Sequence, residues 1–360
     1  MFRTLKQILT LSVLALSANT WAASGGWSTS TVTSSCPGTA DGSGNVTSTC
    51  YFDLTASPST TQGAAPAVML NGGIFRVPAQ NDLLGNTIVG TGVFDPFVRI
   101  QTSQGYAKCQ PNCTEQGFNT DGRTPQPGNG TIVDNHDKGN SNWNHSIKLS
   151  DIPTITVCDG GGSTGTNCHQ FCEFLLDINE QGNTSDSGLS LDSFKLFVAG
   201  QGDILSNSIT DSANCTPDNN PNGTFKLCGG AAEVYDMDNI PGGDASLLMD
   251  YSNFSGSGNG VDLQALVPVS NFAGYTPDSF VYLYSKFGET GSKCTVSATK
   301  TSACNTPSGS LGTKAKSLTY GSDAGFEEWS IRRGTGVPVP ATLLLMGVGL
   351  LALQRGRRNH

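Results

Sequence analysis

No stretch between Cys50 and Arg332 carries enough continuous apolar character for a long buried helix; the apolar segments are short, rich in β-branched and aromatic residues, and bounded by turn signals. Cys50–Leu54, Ala67–Leu70, Ile74–Val77 and Val93–Ile100 come first, with Asn-Gly-Gly and Gly-Thr-Gly between the last three. Asn142–Leu149 and Thr154–Cys158 then flank the turn Ser150-Asp151-Ile152-Pro153. Phe171–Ile178, Leu189–Ala199, Thr224–Leu227, Ala231–Met237, Ala245–Tyr251, Val261–Val267, Ser279–Phe287 and Phe326–Arg332 complete the set. Strict alternation would place Cys172, Phe174, Leu176 and Ile178 on one face of their strand. In Leu189–Ala199 it sets Leu189, Leu191, Ser193, Lys195 and Phe197 against Ser190, Asp192, Phe194, Leu196 and Val198. Roughly a dozen short strands without an intervening amphipathic helix predict an all-β chain, an antiparallel β-sandwich of jelly-roll type. Ser24–Gly44, Thr55–Pro66 and Lys108–Gly130 read as loop, so residues 23–140 are loop-rich and 141–336 carry the regular strands.

Both ends of the chain differ from this body. Arg3 and Lys6 precede the apolar run Ile8–Ala18, and small residues follow at Ala22 and Ala23. That is the pattern of a secretory signal peptide over residues 1–22, cut after Ala22 because a cut after Ala23 would set bulky Trp21 at the −3 position. At the other end, residues 337–358 hold a Val337-Pro338-Val339-Pro340-Ala341-Thr342 lead, an uncharged run Ala341–Leu353, and Arg355, Arg357 and Arg358. Thirteen helical residues rise about 20 Å, short of the ~30 Å hydrocarbon core, so the run suits temporary rather than permanent anchoring. The arginine cluster would stay cytoplasmic and leave the body outside.

This tripartite tail resembles the PEP-CTERM sorting signal of exported bacterial proteins, which exosortase-type membrane enzymes recognise and process. The residues that carry the resemblance are Val337, Pro338, Pro340, Ala341 and Thr342, the apolar run, and the arginines; Val339 stands where the commonest form has Glu. WNHSIKLSDIPTITV, AEVYDMDN, FVYLYSKFGE and GFEEWSIRR look like blocks in one group of such surface proteins, as does EFLLDINE with the later LSLDSFKLFVA. The resemblance implies a location at the cell surface, transient anchoring in the inner membrane, and an exosortase-type partner. It also implies a structural or adhesive role in an extracellular polysaccharide or biofilm layer.

Export decides how the eleven cysteines are read: as disulfides rather than a zinc site. Cys36/Cys50, Cys109/Cys113, Cys158/Cys168, Cys215/Cys228 and Cys294/Cys304 each bracket a polar or Gly-rich stretch and would staple loops. Cys172 is then left over as a buried thiol; Cys158 joined to Cys172 is the alternative pairing. Without the five basic residues of the two ends, the body carries 15 basic against 29 acidic residues, a net charge of −14. Such a surface repels nucleic acid and anionic lipid and raises the local concentration of cations.

Candidate chemistry is sparse. Asp177-x-Asn179-x-Gln181-Gly182-Asn183 begins like an EF-hand loop, but Gly188 stands where the bidentate Glu belongs. A weak calcium site from Asp177, Asn179, Asp186 and Asp192 is the resulting expectation, with affinity on the order of 10⁻⁴–10⁻³ M. Asp236, Asp238 and Asp244 form a second acidic loop. Gly161-Gly162-Ser163-Thr164-Gly165 matches the nucleophile-elbow spacing without the helix that must follow it, so a secreted hydrolase is the weakest of three readings. The middle one is a carbohydrate-binding module in which Trp27, Trp143, Tyr251 or Tyr275 stacks on sugar rings.

Overall fold

The protein is described by a computed structural model over residues 29–31, 50–55, 67–78, 94–101, 114–122, 142–158, 166–180, 187–204, 227, 230–240, 244–253, 261–289, 320–322 and 326–332. Its strands are β1 (Thr29–Thr31), β2 (Cys50–Asp53), β3 (Ala67–Leu70), β4 (Gly73–Arg76), β5 (Phe94–Ile100), β6 (Glu115–Phe118), β7 (Ile147–Lys148), β8 (Thr154–Val157), β9 (His169–Asp177), β10 (Gly188–Ala199), β11 (Ala232–Asp236), β12 (Ala245–Asp250), β13 (Leu263–Pro268), β14 (Phe280–Phe287) and β15 (Glu327–Arg332). The first sheet has the order β1-β3-β4-β13-β9-β15-β5, with β8 also on β9. The second has the order β2-β12-β10-β14-β6, with β11 on β10 and β7 on β14. From β12 onward successive strands alternate between the sheets, the crossing pattern expected of a jelly-roll-like sandwich. All pairings are antiparallel except β1 with β3 and β12 with β2.

Local chemistry explains several of these elements. The Asn-Gly signal after Leu70 closes a two-residue hairpin: Leu70 pairs Gly73, and Asn71 and Gly72 adopt φ of 44° and 79°. Positive φ at both central residues is what the right-handed twist of a tight hairpin demands. Gly73 is required for a different reason, since a Cβ there would lie 2.4 Å from the Tyr235 hydroxyl oxygen. That hydroxyl donates to Leu70 O at 2.7 Å and so ties β11 of the second sheet to β3 of the first.

The core lies between the two sheets. Cys172, Phe174, Leu176 and Ile178 all point into it, as their alternation predicts. Strand β10 departs from simple alternation. Leu191 pairs Phe287 but Ser193 pairs Lys286, so Asp192 is an extra residue, a bulge. Leu189 and Leu191 face the core before the bulge, and Phe194, Leu196 and Val198 face it after. One inserted residue exchanges the two faces of a strand, so neither of the two faces expected from strict alternation exists along its whole length. Around Phe194 the interior is aromatic: ring centroids of Trp329, Phe75, Tyr235 and Phe174 lie at 5.0, 5.4, 5.9 and 6.1 Å. The Trp329 indole N–H donates to Ser285 Oγ at 3.0 Å, a second link between the sheets.

Two strands lie in segments read as loop. β6 falls within Lys108–Gly130 and β1 within Ser24–Gly44. Glu115-Gln116-Gly117-Phe118 has no strand pattern of its own and is held by the edge of β14 through Phe287, Lys286, Ser285 and Tyr284. Asn142–Leu149 shrinks to the two-residue β7. Residues before 140 supply β1 to β6 to both sheets, so the loop-rich and regular parts share one pair of layers.

Cys158 and Cys168 form a disulfide that closes the connection from β8 to β9. Cys172 is a free, buried thiol. Cys36, Cys109, Cys113, Cys215, Cys228, Cys294 and Cys304 lie outside the described residues, and of Cys50 only the backbone in β2 is described.

Candidate functional site

The signal peptide and the tail residues Val337, Pro338, Pro340, Ala341, Thr342, Arg355, Arg357 and Arg358 lie outside the described residues, as do Asp186, Trp27 and Gly161–Gly165. Among the described residues no helix is long and apolar enough to cross a membrane. Of the expected calcium ligands, Asp177 ends β9 in the first sheet and Asp192 is the bulge of β10 in the second. The Asp192 carboxylate is engaged: Oδ1 accepts from Ser246 Oγ at 2.7 Å, and Oδ2 from Ser190 Oγ at 2.8 Å and Glu289 N at 2.6 Å. Its work is to fasten the bulge to β12 and to the end of β14. Asp177 instead meets Asp262, whose Oδ2 accepts from Ile178 N at 2.8 Å. Burial, and then the Asp177 charge, holds the Asp262 carboxyl well above the usual carboxylate range. The half-buried Asn179 follows, and then Glu180, which is buried.

Glu180 belongs to a group that sequence order conceals. Glu115 opens β6, Glu327 opens β15, and Glu180 follows β9; all three are buried. Trp329 and Ile331 lie in the inter-sheet core, so Glu327 points inward by strand alternation. Glu115 pairs Phe287, another core residue, and enters from the opposite sheet. Burial pushes the Glu327 carboxyl well above its ordinary value, and the charges of Glu115 and Glu180 push it further. Ser322 Oγ, 3.4 Å from Glu327 Oε2, opposes this weakly.

A second buried group is saturated. Lys195 on the outer face of β10 meets Asp236 Oδ2 at 2.6 Å and Glu233 Oε2 at 3.9 Å. Asp236 Oδ1 accepts from Asp238 N, and Asp238 accepts from Ala245 N and Ser193 Oγ. Burial and the neighbouring Asp236 and Asp244 raise the Asp238 carboxyl well above its usual range. Across the first sheet Arg76, Gln264, Glu173 and Arg332 form a polar ladder, with Arg332 bonded to both Glu173 oxygens at 3.1 and 2.9 Å. Such ladders satisfy buried polar groups on four adjacent strands.

The aromatics divide. Tyr251 is buried, whereas Trp143 is 36% exposed and Tyr275 37%. Arg99 lies 3.6 Å from the Trp143 ring centroid and 3.9 Å from that of Phe326, and its Nε donates to Glu328 Oε2 at 2.8 Å. The guanidinium is thus fixed by a carboxylate and in turn supports the Trp143 ring.

Comparison with family models, curated proteins and solved structures finds no match. The function therefore has to be argued from the chain itself. Among the described residues no group of three or more His, Cys, Asp or Glu side chains is arranged to hold a metal ion. The carboxylates named above bind backbone N–H groups, hydroxyls, Lys and Arg, or face one another. In the last case they can hold protons. Sequence reading singled out the Asp- and Asn-rich turn after β9 and passed over Glu180 within it. The available signal is the two-residue spacing that sets Glu180 after the apolar Ile178, on the same side of an extended chain.

Proposed function

We propose that this chain is an exported bacterial surface or extracellular-matrix protein, processed at its C-terminal sorting signal, with a structural or adhesive role in a polysaccharide or biofilm layer. The observation that carries the reading is the pairing of a signal peptide with the tail Val337–Arg358, where a proline-containing lead, a short uncharged run and three arginines succeed one another. A membrane enzyme of the exosortase type is the partner that such a tail would meet. The short run holds the chain at the inner membrane until processing releases the body. A two-sheet sandwich with an internally satisfied polar ladder and a stapled hairpin is suited to persistence outside the cell. Intact-mass analysis of protein from its native host tests this: the mature chain should lack the tail from about Pro340 onward. A mature chain still ending at His360 refutes it.

One observation favours a second reading, carbohydrate binding. Trp143 is exposed and its ring is braced by Arg99, a rigid apolar plate of the kind that sugar rings stack on. Replacing Trp143 with Ala should abolish retardation in polysaccharide-containing gels if this reading holds; unchanged mobility removes it.

A further inference from the structure

Neither sorting nor sugar stacking explains the acids buried between the sheets at the Glu327 end. Glu327 is fully buried, and its Oε1 has no hydrogen-bond partner, while Oε2 accepts from the Ser322 hydroxyl at 3.4 Å. Its carboxyl stands within hydrogen-bonding reach of the Glu115 carboxyl, which enters from the other sheet. Ionised carboxylates only accept, so two of them in contact away from water repel. A proton between them turns the same contact into a hydrogen bond to a charged acceptor, among the stronger kinds. The structure closes the sandwich at this point with the two carboxyls together, a closure that the protonated form favours and the doubly ionised form opposes.

We propose that Glu327 and Glu115 share one proton and form an acid-dependent clasp between the two sheets. The clasp sits two residues along β15 from the Trp329–Ser285 bond and continues that line of inter-sheet contacts. Glu180, from the segment after β9, faces the pair and adds negative charge. Other charges on the adjacent strands have partners of their own: Arg99 of β5 binds Glu328, Lys286 of β14 binds Glu289, and Asp177 of β9 faces Asp262. The direction of the pH effect follows. A carboxyl held above its unfolded value binds a proton more tightly in the folded state. Its stabilisation is complete below the ordinary carboxyl range and is lost as pH rises through the raised folded value. An exported protein meeting alkaline surroundings would loosen at this end first.

The test is equilibrium unfolding of the full exported protein in urea, from pH 5 to 8, for the wild type and Glu327→Gln. The amide keeps the shape and donates its N–H to Glu115 without a titrating proton. Asp238 and Asp262 titrate alike in both proteins and cancel in the comparison. In the wild type the unfolding constant should rise with pH more steeply than in the variant, by about tenfold per pH unit for one proton. Glu115→Gln should flatten the curve in the same way, which keeps the test open if one variant folds poorly. Asp278→Asn, an exposed acid outside the cluster, should leave the slope unchanged. Parallel wild-type and variant curves overturn the clasp. So does a rise in wild-type stability in millimolar calcium at neutral pH that Glu327→Gln abolishes, because the pocket would then hold a cation in place of the proton.

Discussion

Phe194 is the residue on which the two sheets are keyed, and its removal has a cost that can be worked from its neighbours. Phe194→Ala loses the burial of a full aromatic side chain, about 1.5–3 kcal/mol. It also leaves a ring-sized void on the order of 100 Å³, which at ~24 cal/mol per Å³ adds about 2.4 kcal/mol. The void should persist. Trp329 and Tyr235 are anchored by hydrogen bonds to Ser285 and Leu70, and Phe75 and Phe174 belong to the opposite sheet, so none can swing inward without moving a strand. The expected loss is therefore about 4–5 kcal/mol, in the upper part of the range for buried Phe→Ala. Phe194→Leu refills part of the space and should cost about 1–2 kcal/mol. Urea unfolding with disulfides intact measures both, provided the denaturant slope is the same as wild type. A loss under about 2 kcal/mol for the alanine variant, at unchanged slope, would show that the sheets close over the gap and that the anchoring argument is wrong.

The Lys195–Asp236 pair is buried, so Asp236→Ala takes away the nearer carboxylate of the lysine and should cost about 3–5 kcal/mol, whereas Lys195→Met with Asp236→Leu leaves no buried lysine charge and should cost less, the remaining loss being the Asp238 N–H bond; equal losses in single and double variants would reject that asymmetry. Burial raises the Cys172 thiol to about 12, so in native protein at pH 8 it should resist alkylation and react only in denaturant. Peptide mapping of the same samples should recover Cys158 linked to Cys168, and finding Cys172 in a disulfide would contradict the structure.

How far the fold can be read from the sequence depends on the range of the interaction that makes each element. The β3–β4 turn is written in Asn71-Gly72, because positive φ is a local demand. The core face of β9 is written in Cys172, Phe174, Leu176 and Ile178, because a half-buried strand repeats every two residues. The staple across Cys158 and Cys168 is local too. Strand β6 is different. Glu115-Gln116-Gly117-Phe118 becomes a strand by completing the hydrogen bonds of β14, whose residues lie some 168 positions away in the case of Tyr284 and Gln116. The bulge at Asp192 is likewise invisible, since it is set by Ser190, Ser246 and the Glu289 backbone together.

The candidate sites divide along the same line. Sequence by itself determined the all-β class, the short strands and the acidic character of the body, because each is a property of composition or of neighbouring residues. Only the tertiary structure decided which acids matter. It fastened Asp192 to Ser190, Ser246 and the Glu289 backbone, and it brought Glu115, Glu180 and Glu327 together from three distant segments. A carboxyl's proton affinity depends on burial and on charges nearby in space, and a chain that crosses between two sheets makes distance in sequence a poor measure of either.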